Sequence, residues 1–171
     1  MDEKQAMKLI QQLRHDWMND LQLILGNLQL GKQDKAVEKI YSIMEKAGQN
    51  RALDQLQLPK TTIFLHLLNA EYTHFQWEWH VEVDALKGDT YPDDDQLKLQ
   101  LTEIYEIIQP HVIDFEVYHA KLSFLMKEEQ WTYQLTIEEA LDNTDYLVEN
   151  LKRLPYMESV TTRDHLQLTW R

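Results

Sequence analysis

The chain has 171 residues, of which 43% are hydrophobic, and this suits one ordinary domain or two small ones with a packed core. Its formal net charge of −12 argues against binding to nucleic acid, because such affinity comes largely from a surplus of lysine and arginine. With no cysteine, no long apolar run and no signal-peptide pattern, we expect no disulfide and no membrane span, and we place the protein in the cytoplasm.

The first predicted element is a long helix, from about residue 3 to residue 30. Its main apolar residues lie within about 40° of one line along the helix, at 100° per residue. These residues are Ile10, Leu13, Trp17, Leu21, Ile24 and Leu28. Further apolar residues widen the sector to roughly half the circumference. A helix this apolar needs more than one neighbouring helix.

His15 lies on the opposite face of this helix, about 160° from the apolar line. The side chains predicted around it are mostly uncharged and polar: Lys8, Gln11, Gln12, Asn19 and Gln22. A solvated histidine without a role is the alternative interpretation. The combination of Arg14, His15, Asp16 and Asn19 within one and a half turns favours a functional, exposed imidazole nucleophile.

A short connection leads to a second helix, predicted over residues 35–53. Gly31 suits a C-terminal cap and Asp34 the next N-cap. The second helix also has apolar residues at helical spacing, so it should fold back antiparallel and leave part of the first helix uncovered. Two such hairpins about a two-fold axis would close a four-helix bundle, so we expect a homodimer. The alternative is that this surface packs on the C-terminal part of the same chain.

The helical pattern breaks at Pro59, and we predict two domains, residues 1–56 and 57–171. The second domain should contain helices over 61–75, 92–108 and about 144–154, and strands over 77–83, 119–127, 130–137, 157–162 and 165–170. The turn at Glu128 and Glu129 lacks the usual Asn-Gly chemistry. This order of elements predicts an α+β protein in which a small sandwich follows the hairpin.

Cofactor and metal motifs are missing from the sequence. The histidines outside the first helix show no HExxH or similar spacing, and Asp93, Asp94 and Asp95 suit a helix N-terminus without any cation. The four glycines, at positions 26, 31, 48 and 88, assemble no phosphate-binding loop. We therefore expect no cofactor and no metal site of the chain's own.

The segment LRHDWMNDLQLILGNLQLGKQDKA, residues 13–36, resembles the N-terminal motif of the sporulation initiation phosphotransferase B family. This family comprises the histidine phosphotransferases of the endospore phosphorelay, and a looser likeness extends to citrate-type sensor kinases. The likeness covers about residues 10–40. It implies a dimer whose paired hairpins form a four-helix bundle, with a C-terminal domain resembling a degenerate histidine-kinase ATP-binding domain.

His15 matches the phosphorylated histidine of that family. The resemblance implies that His15 accepts a phosphoryl group from the aspartyl phosphate of a single-domain response regulator. It would then pass the group to the aspartate of a second regulator, a sporulation transcription factor. Mg²⁺ is expected on the partner regulator, where it would neutralise most of the charge.

Other residues of the first helix are candidates for supporting roles. Arg14 is a candidate to stabilise the phosphoryl oxygens, and Asn19 to orient the imidazole or contact the regulator. The remaining candidates for partner binding are Lys8, Gln11, Gln12, Asp16, Met18 and Gln22.

The sequence argues against an ATP-dependent kinase. The predicted helix has no asparagine over residues 97–108, and no glycine follows Gly88, so the features that hold Mg-ATP in histidine kinases are missing. We expect no autophosphorylation from ATP. The alternative function is a non-catalytic dimerising module that binds a response regulator or sensor protein without being phosphorylated.

Overall fold

The computed structural model describes residues 3–71, 74–87, 90–162 and 165–171. The fold is α+β, with a helical hairpin followed by a mixed five-stranded sheet and its helices. The chain divides into two compact units, Met1–Arg51 and Ala52–Arg171. No helix in the described ranges combines the length and apolarity that a membrane crossing requires.

The first unit is built on the hairpin of α1 (Glu3–Gln29) and α2 (Gln33–Gln55). Gly31 has φ 69° and ends α1 in a Schellman motif, with Gly31 N donating to Leu28 O at 3.0 Å and Lys32 N to Asn27 O at 2.8 Å. This confirms Gly31 as the cap. Asp34 lies within the first turn of α2, so its predicted N-cap position is wrong because the helix begins earlier, at Gln33.

An ion pair joins the two helices of the hairpin. Lys39 Nζ on α2 lies 2.7 Å from Asp20 Oδ1 on α1, and both side chains are about two-thirds shielded from water. Ala36 on α2 is buried, although most of the hairpin's apolar residues are exposed. The predicted antiparallel hairpin is therefore confirmed within one chain.

The second unit contains the helices and strands of the sandwich. In chain order these are α3 (Pro59–Glu71), β1 (Phe75–Val81), α4 (Asp94–Ile108), β2 (Tyr118–Lys127), β3 (Gln130–Ile137), α5 (Thr144–Lys152), β4 (Met157–Thr161) and β5 (Leu166–Trp170). The predicted third helix extended too far, to residue 75, because Phe75 begins β1; residues 72 and 73 lie outside the described residues. Leu53 and Leu56, which the sequence placed in the first domain, belong to the core of this unit.

The sheet has the strand order β1-β2-β3-β5-β4. β1 pairs with β2 in parallel, and every other neighbouring pair is antiparallel. Alternate residues of β1 are buried, among them Trp77 and Trp79, so both tryptophans belong to the core. Glu128 and Glu129 form the β2–β3 turn, with φ 52° and 62° respectively. Both values are positive, as a type I′ hairpin turn of two residues requires.

β1 lies at an edge of the sheet, and the side chain of Asn69 on α3 covers part of that edge. Asn69 Oδ1 accepts from the backbone N–H of Trp77 at 2.8 Å, and Asn69 Nδ2 donates to the Trp77 carbonyl at 3.0 Å. One amide side chain therefore pairs with both backbone groups of Trp77, as a neighbouring strand would.

The three consecutive aspartates at the N-terminus of α4 have separate structural partners. Asp93 caps α4, since its Oδ1 accepts from Gln96 N at 3.0 Å. Asp94 accepts from Lys60 N and Thr61 N, both at 2.8 Å, and so caps α3 from another helix. Asp95 forms an ion pair with the Lys60 ammonium at 2.5 Å. Helix capping and ion pairing account for all three carboxylates.

Candidate functional site

His15 lies near the middle of α1 and projects into solvent, with 76% of its side chain exposed. No residue of α1 is buried in the single chain. The side chain of Trp17, on the predicted apolar line, is as exposed as His15, at 75%. Exposure alone therefore does not distinguish His15 from other residues of α1. The polar side chains around it provide the distinction.

Asp16 is the polar neighbour of the imidazole. His15 Nδ1 lies 3.4 Å from Asp16 Oδ1, and Gln12 Nε2 donates to the same oxygen at 2.9 Å. When Nδ1 carries the ring proton it faces this carboxylate, and Nε2 keeps its lone pair. In that tautomer Nε2 is the ring nitrogen that can act as a nucleophile.

Helix geometry explains how these three side chains come together. Gln12 and Asp16 are four residues apart, so they lie one above the other on α1. The sequence grouped both residues with partner binding and did not assign them to the imidazole. The i, i+4 spacing of an amide and a carboxylate beside His15 was the signal for this contact.

The other predicted site residues surround this group without joining it. Six of them are exposed: Lys8, Gln11, Arg14, Met18, Asn19 and Gln22. In the part of the chain that the structure describes, neither Arg14 nor Asn19 forms a hydrogen bond or ion pair with His15. Their side chains are therefore available to a molecule that approaches the imidazole.

The opposite side of α1 presents an extensive apolar surface, which we call the apolar face of the hairpin. Each of its large side chains is at least 40% exposed in the single chain. On α1 these are Met7, Ile10, Leu13, Trp17, Leu21, Leu25 and Leu28, and on α2 they are Val37, Ile40 and Met44. Exposed apolar surface on this scale is typical of an interaction site.

Comparison with known proteins assigns the hairpin to a described domain type. Residues 1–56 match the family described as sensor kinase SpoOB-type, alpha-helical domain. Sporulation initiation phosphotransferase B of Bacillus subtilis (strain 168) is 29% identical over 124 residues, which cover 72% of this chain and 50% of that protein. The resemblance to the sporulation initiation phosphotransferase B family is confirmed. The chain spans about half the length of this curated relative.

A solved structure described as a bacterial phosphotransferase at 1.7 Å is also similar to this chain. The alignment covers 100% of this chain and 98% of the other, with 13% sequence identity and a TM-score of 0.36. A sequence identity and a TM-score this low support no conclusion about the fold or function of this chain. The family match is more informative about the site, because it covers the whole of α1, including His15.

Proposed function

We propose that this protein is a histidine phosphotransferase of a sporulation phosphorelay. His15 accepts a phosphoryl group from the aspartyl phosphate of one response regulator and passes it to the aspartate of a second. The observation that carries the proposal is an exposed histidine, paired with Asp16, within a SpoOB-type helical domain. Because both regulators are intracellular signalling proteins, we place the reaction in the cytoplasm.

The first transfer is an in-line displacement at phosphorus. The lone pair of His15 Nε2 attacks, the N–P bond forms, and the P–O bond to the regulator's aspartate breaks to release its carboxylate. The Nδ1 proton stays on the ring, which becomes cationic as Nε2 bonds to phosphorus. Asp16 lies beside Nδ1 and stabilises this positive charge. In the second transfer the aspartate of the acceptor regulator attacks phosphorus and neutral His15 leaves.

The charge on the moving phosphoryl group is neutralised mainly from outside the hairpin. Mg²⁺ on the partner regulator supplies most of this stabilisation, so the transfer needs no metal bound to this chain. Arg14 is the nearest cation in sequence, and its exposed guanidinium can reach phosphoryl oxygens by curling around the helix. Asn19, one turn beyond His15, contacts the regulator.

A second copy of the chain covers the apolar face in this proposal. Two hairpins packed about a two-fold axis form a four-helix bundle, which removes the exposed leucine, isoleucine and tryptophan side chains from water. His15 lies on the far side of each α1 and stays accessible. The homodimer thus presents two equivalent transfer sites.

ATP is not the phosphoryl source in this proposal. The α4 helix has no asparagine with which to hold Mg-ATP, and the sequence after Gly88 has no glycine for a nucleotide lid. We expect no label on the protein after incubation with radioactive ATP and Mg²⁺ alone. Autophosphorylation under these conditions would contradict this part of the proposal.

Transfer of label from a phosphorylated single-domain response regulator tests the proposal. We expect the wild-type protein to gain acid-labile phosphate and to pass it to a second regulator, whereas His15→Gln should gain none. His80→Gln, which removes another exposed histidine, is the matched control and should behave as wild type. A relay that persists in His15→Gln would overturn the proposal. Regulator binding without label in the wild type would identify the non-catalytic binding module instead.

A further inference from the structure

A second group of ionisable side chains lies at one end of the β2–β3 ladder. His119 is near the start of β2, and Glu138 and Glu139 follow the end of β3. Ala120 pairs with Ile137 in the ladder, and beyond that pair Glu138 N donates to His119 O at 3.3 Å. The antiparallel pairing therefore brings the imidazole of His119 close to two carboxylates that lie far from it in the sequence.

Glu139 binds His119 through both carboxylate oxygens. Its Oε2 accepts from the backbone N–H of His119 at 2.7 Å, and its Oε1 lies 2.5 Å from the ring Nδ1. One ligand atom from each of His119, Glu138 and Glu139 lies within 4.8 Å of the others. The three donor groups therefore lie close enough together to approach one ion.

These donors match the ligand preferences of Zn²⁺. Zinc takes imidazole nitrogen and carboxylate oxygen at roughly 2.0–2.2 Å, and three protein ligands leave a fourth position for water. The backbone N–H that holds Glu139 Oε2 fixes the orientation of a ligand, as outer hydrogen bonds do in metal sites. His119 and Glu138 are exposed, so an ion and its water can reach the group. The net charge of −12 favours cation binding.

We propose that His119, Glu138 and Glu139 form a binding site for a divalent transition metal of the zinc class. The ion takes the place of the proton between His119 Nδ1 and Glu139 Oε1, and it links β2 to the segment after β3. The site lies in the C-terminal unit and takes no part in phosphoryl transfer, so it is independent of the proposed function. The spacing of residues along the sequence did not reveal it, because one ligand lies on β2 and the other two lie in the segment after β3.

Calorimetric titration of the full chain with ZnCl₂, after removal of bound metal with EDTA, tests this site. We expect one Zn²⁺ per chain and a higher melting temperature of the C-terminal unit when the ion is bound. His119→Gln and Glu139→Gln should each weaken the affinity by ~10-fold or more. Glu138→Gln should also weaken the affinity for Zn²⁺. This variant keeps the hydrogen bonds between His119 and Glu139, so a loss of affinity cannot come from misfolding at that contact.

His80→Gln is the matched control, because His80 is an exposed histidine on the neighbouring strand β1. Loss of affinity in the three ligand variants and normal affinity in His80→Gln would support the site. Equal affinity in all variants, or no binding up to ~1 mM Zn²⁺, would overturn it. The group would then be an ion pair only.

Discussion

The helical hairpin and the C-terminal unit differ in how completely each buries its own apolar residues. α1 has no buried residue, although its sequence repeats leucine, isoleucine and tryptophan along one line. The C-terminal unit encloses large side chains completely, among them Tyr118, Phe124 and Trp170. An amphipathic helix gains most of its stability from packing. The C-terminal unit therefore supplies its own core, whereas the apolar face of the hairpin is suited to packing against a partner.

The largest expected effect comes from a charge placed on the apolar face. Leu21→Glu should weaken dimerisation by ~100-fold or more, because an unpaired carboxylate would be buried in the bundle. Gln22→Glu is the matched control, since it adds the same charge one residue later, on the His15 side. Sedimentation velocity over a range of concentrations measures both. Dimers of unchanged affinity in Leu21→Glu, or a wild type that is always monomeric, would show that the apolar face is not the dimer interface.

Shortening a side chain in the core of the C-terminal unit should lower stability whether or not a partner is bound. Leu122 on β2 is fully buried, and Leu122→Ala should lower the free energy of unfolding by about 2–5 kcal/mol through lost contacts and a cavity. Urea unfolding, followed by tryptophan fluorescence, measures this loss. The loss of unfolding free energy for Leu122→Ala should not depend on protein concentration. For Leu21→Ala on the hairpin, the loss should be larger at concentrations where the dimer forms. Concentration dependence for Leu122→Ala would contradict the contrast between the two units.

Asp94 stabilises the C-terminal unit through a helix other than its own. Asp94→Ala should lower the free energy of unfolding by about 1 kcal/mol, because Lys60 N and Thr61 N lose their acceptors. Asp94→Asn keeps one side-chain oxygen and should cost less. Urea midpoints of the two variants measure the effect. Equal midpoints for the wild type and Asp94→Ala would rule out this cap as a source of stability.

The smallest expected effect is a gain in stability at the β2–β3 turn. Glu129 has φ 62°, a conformation that glycine adopts without steric strain, so Glu129→Gly should stabilise the unit by about 0.5 kcal/mol. Lys127→Gly, within β2, should destabilise it instead. Thermal unfolding of both variants is the measurement. A lower melting temperature for Glu129→Gly would mean that the Glu129 side chain stabilises the turn.

Local patterns in the sequence predicted most of the architecture. The period of the apolar residues identified the hairpin helices, and alternation over Trp77 and Trp79 identified β1, because both signals come from residues that are close in the sequence. Gly31 was predictable for the same reason, since helix termination depends on the next few residues. The position of His15 opposite the apolar line also followed from helix geometry alone.

Contacts between distant residues could not be predicted in this way. Leu58 precedes α3 and has no side-chain oxygen to cap it. The cap comes from Asp94, which is separated from Thr61 by 33 positions. The approach of Glu139 to His119 likewise depends on the register of β2 and β3. Such pairs arise from tertiary packing, about which the residue spacing of a single chain carries no information. Asp16 differs from these residues, because its contact with His15 is local in the sequence. Only its role beside the imidazole was not predicted.

The pairing of Asn69 with Trp77 bears on how molecules of this protein avoid unwanted association. An edge strand with free backbone groups can recruit a strand of another molecule, and such pairing leads to aggregation. Asn69 occupies both backbone groups of Trp77 in the middle of β1. A second molecule would have to displace this amide before its own strand could pair there. Pairing between strands of two molecules at this part of β1 is therefore disfavoured.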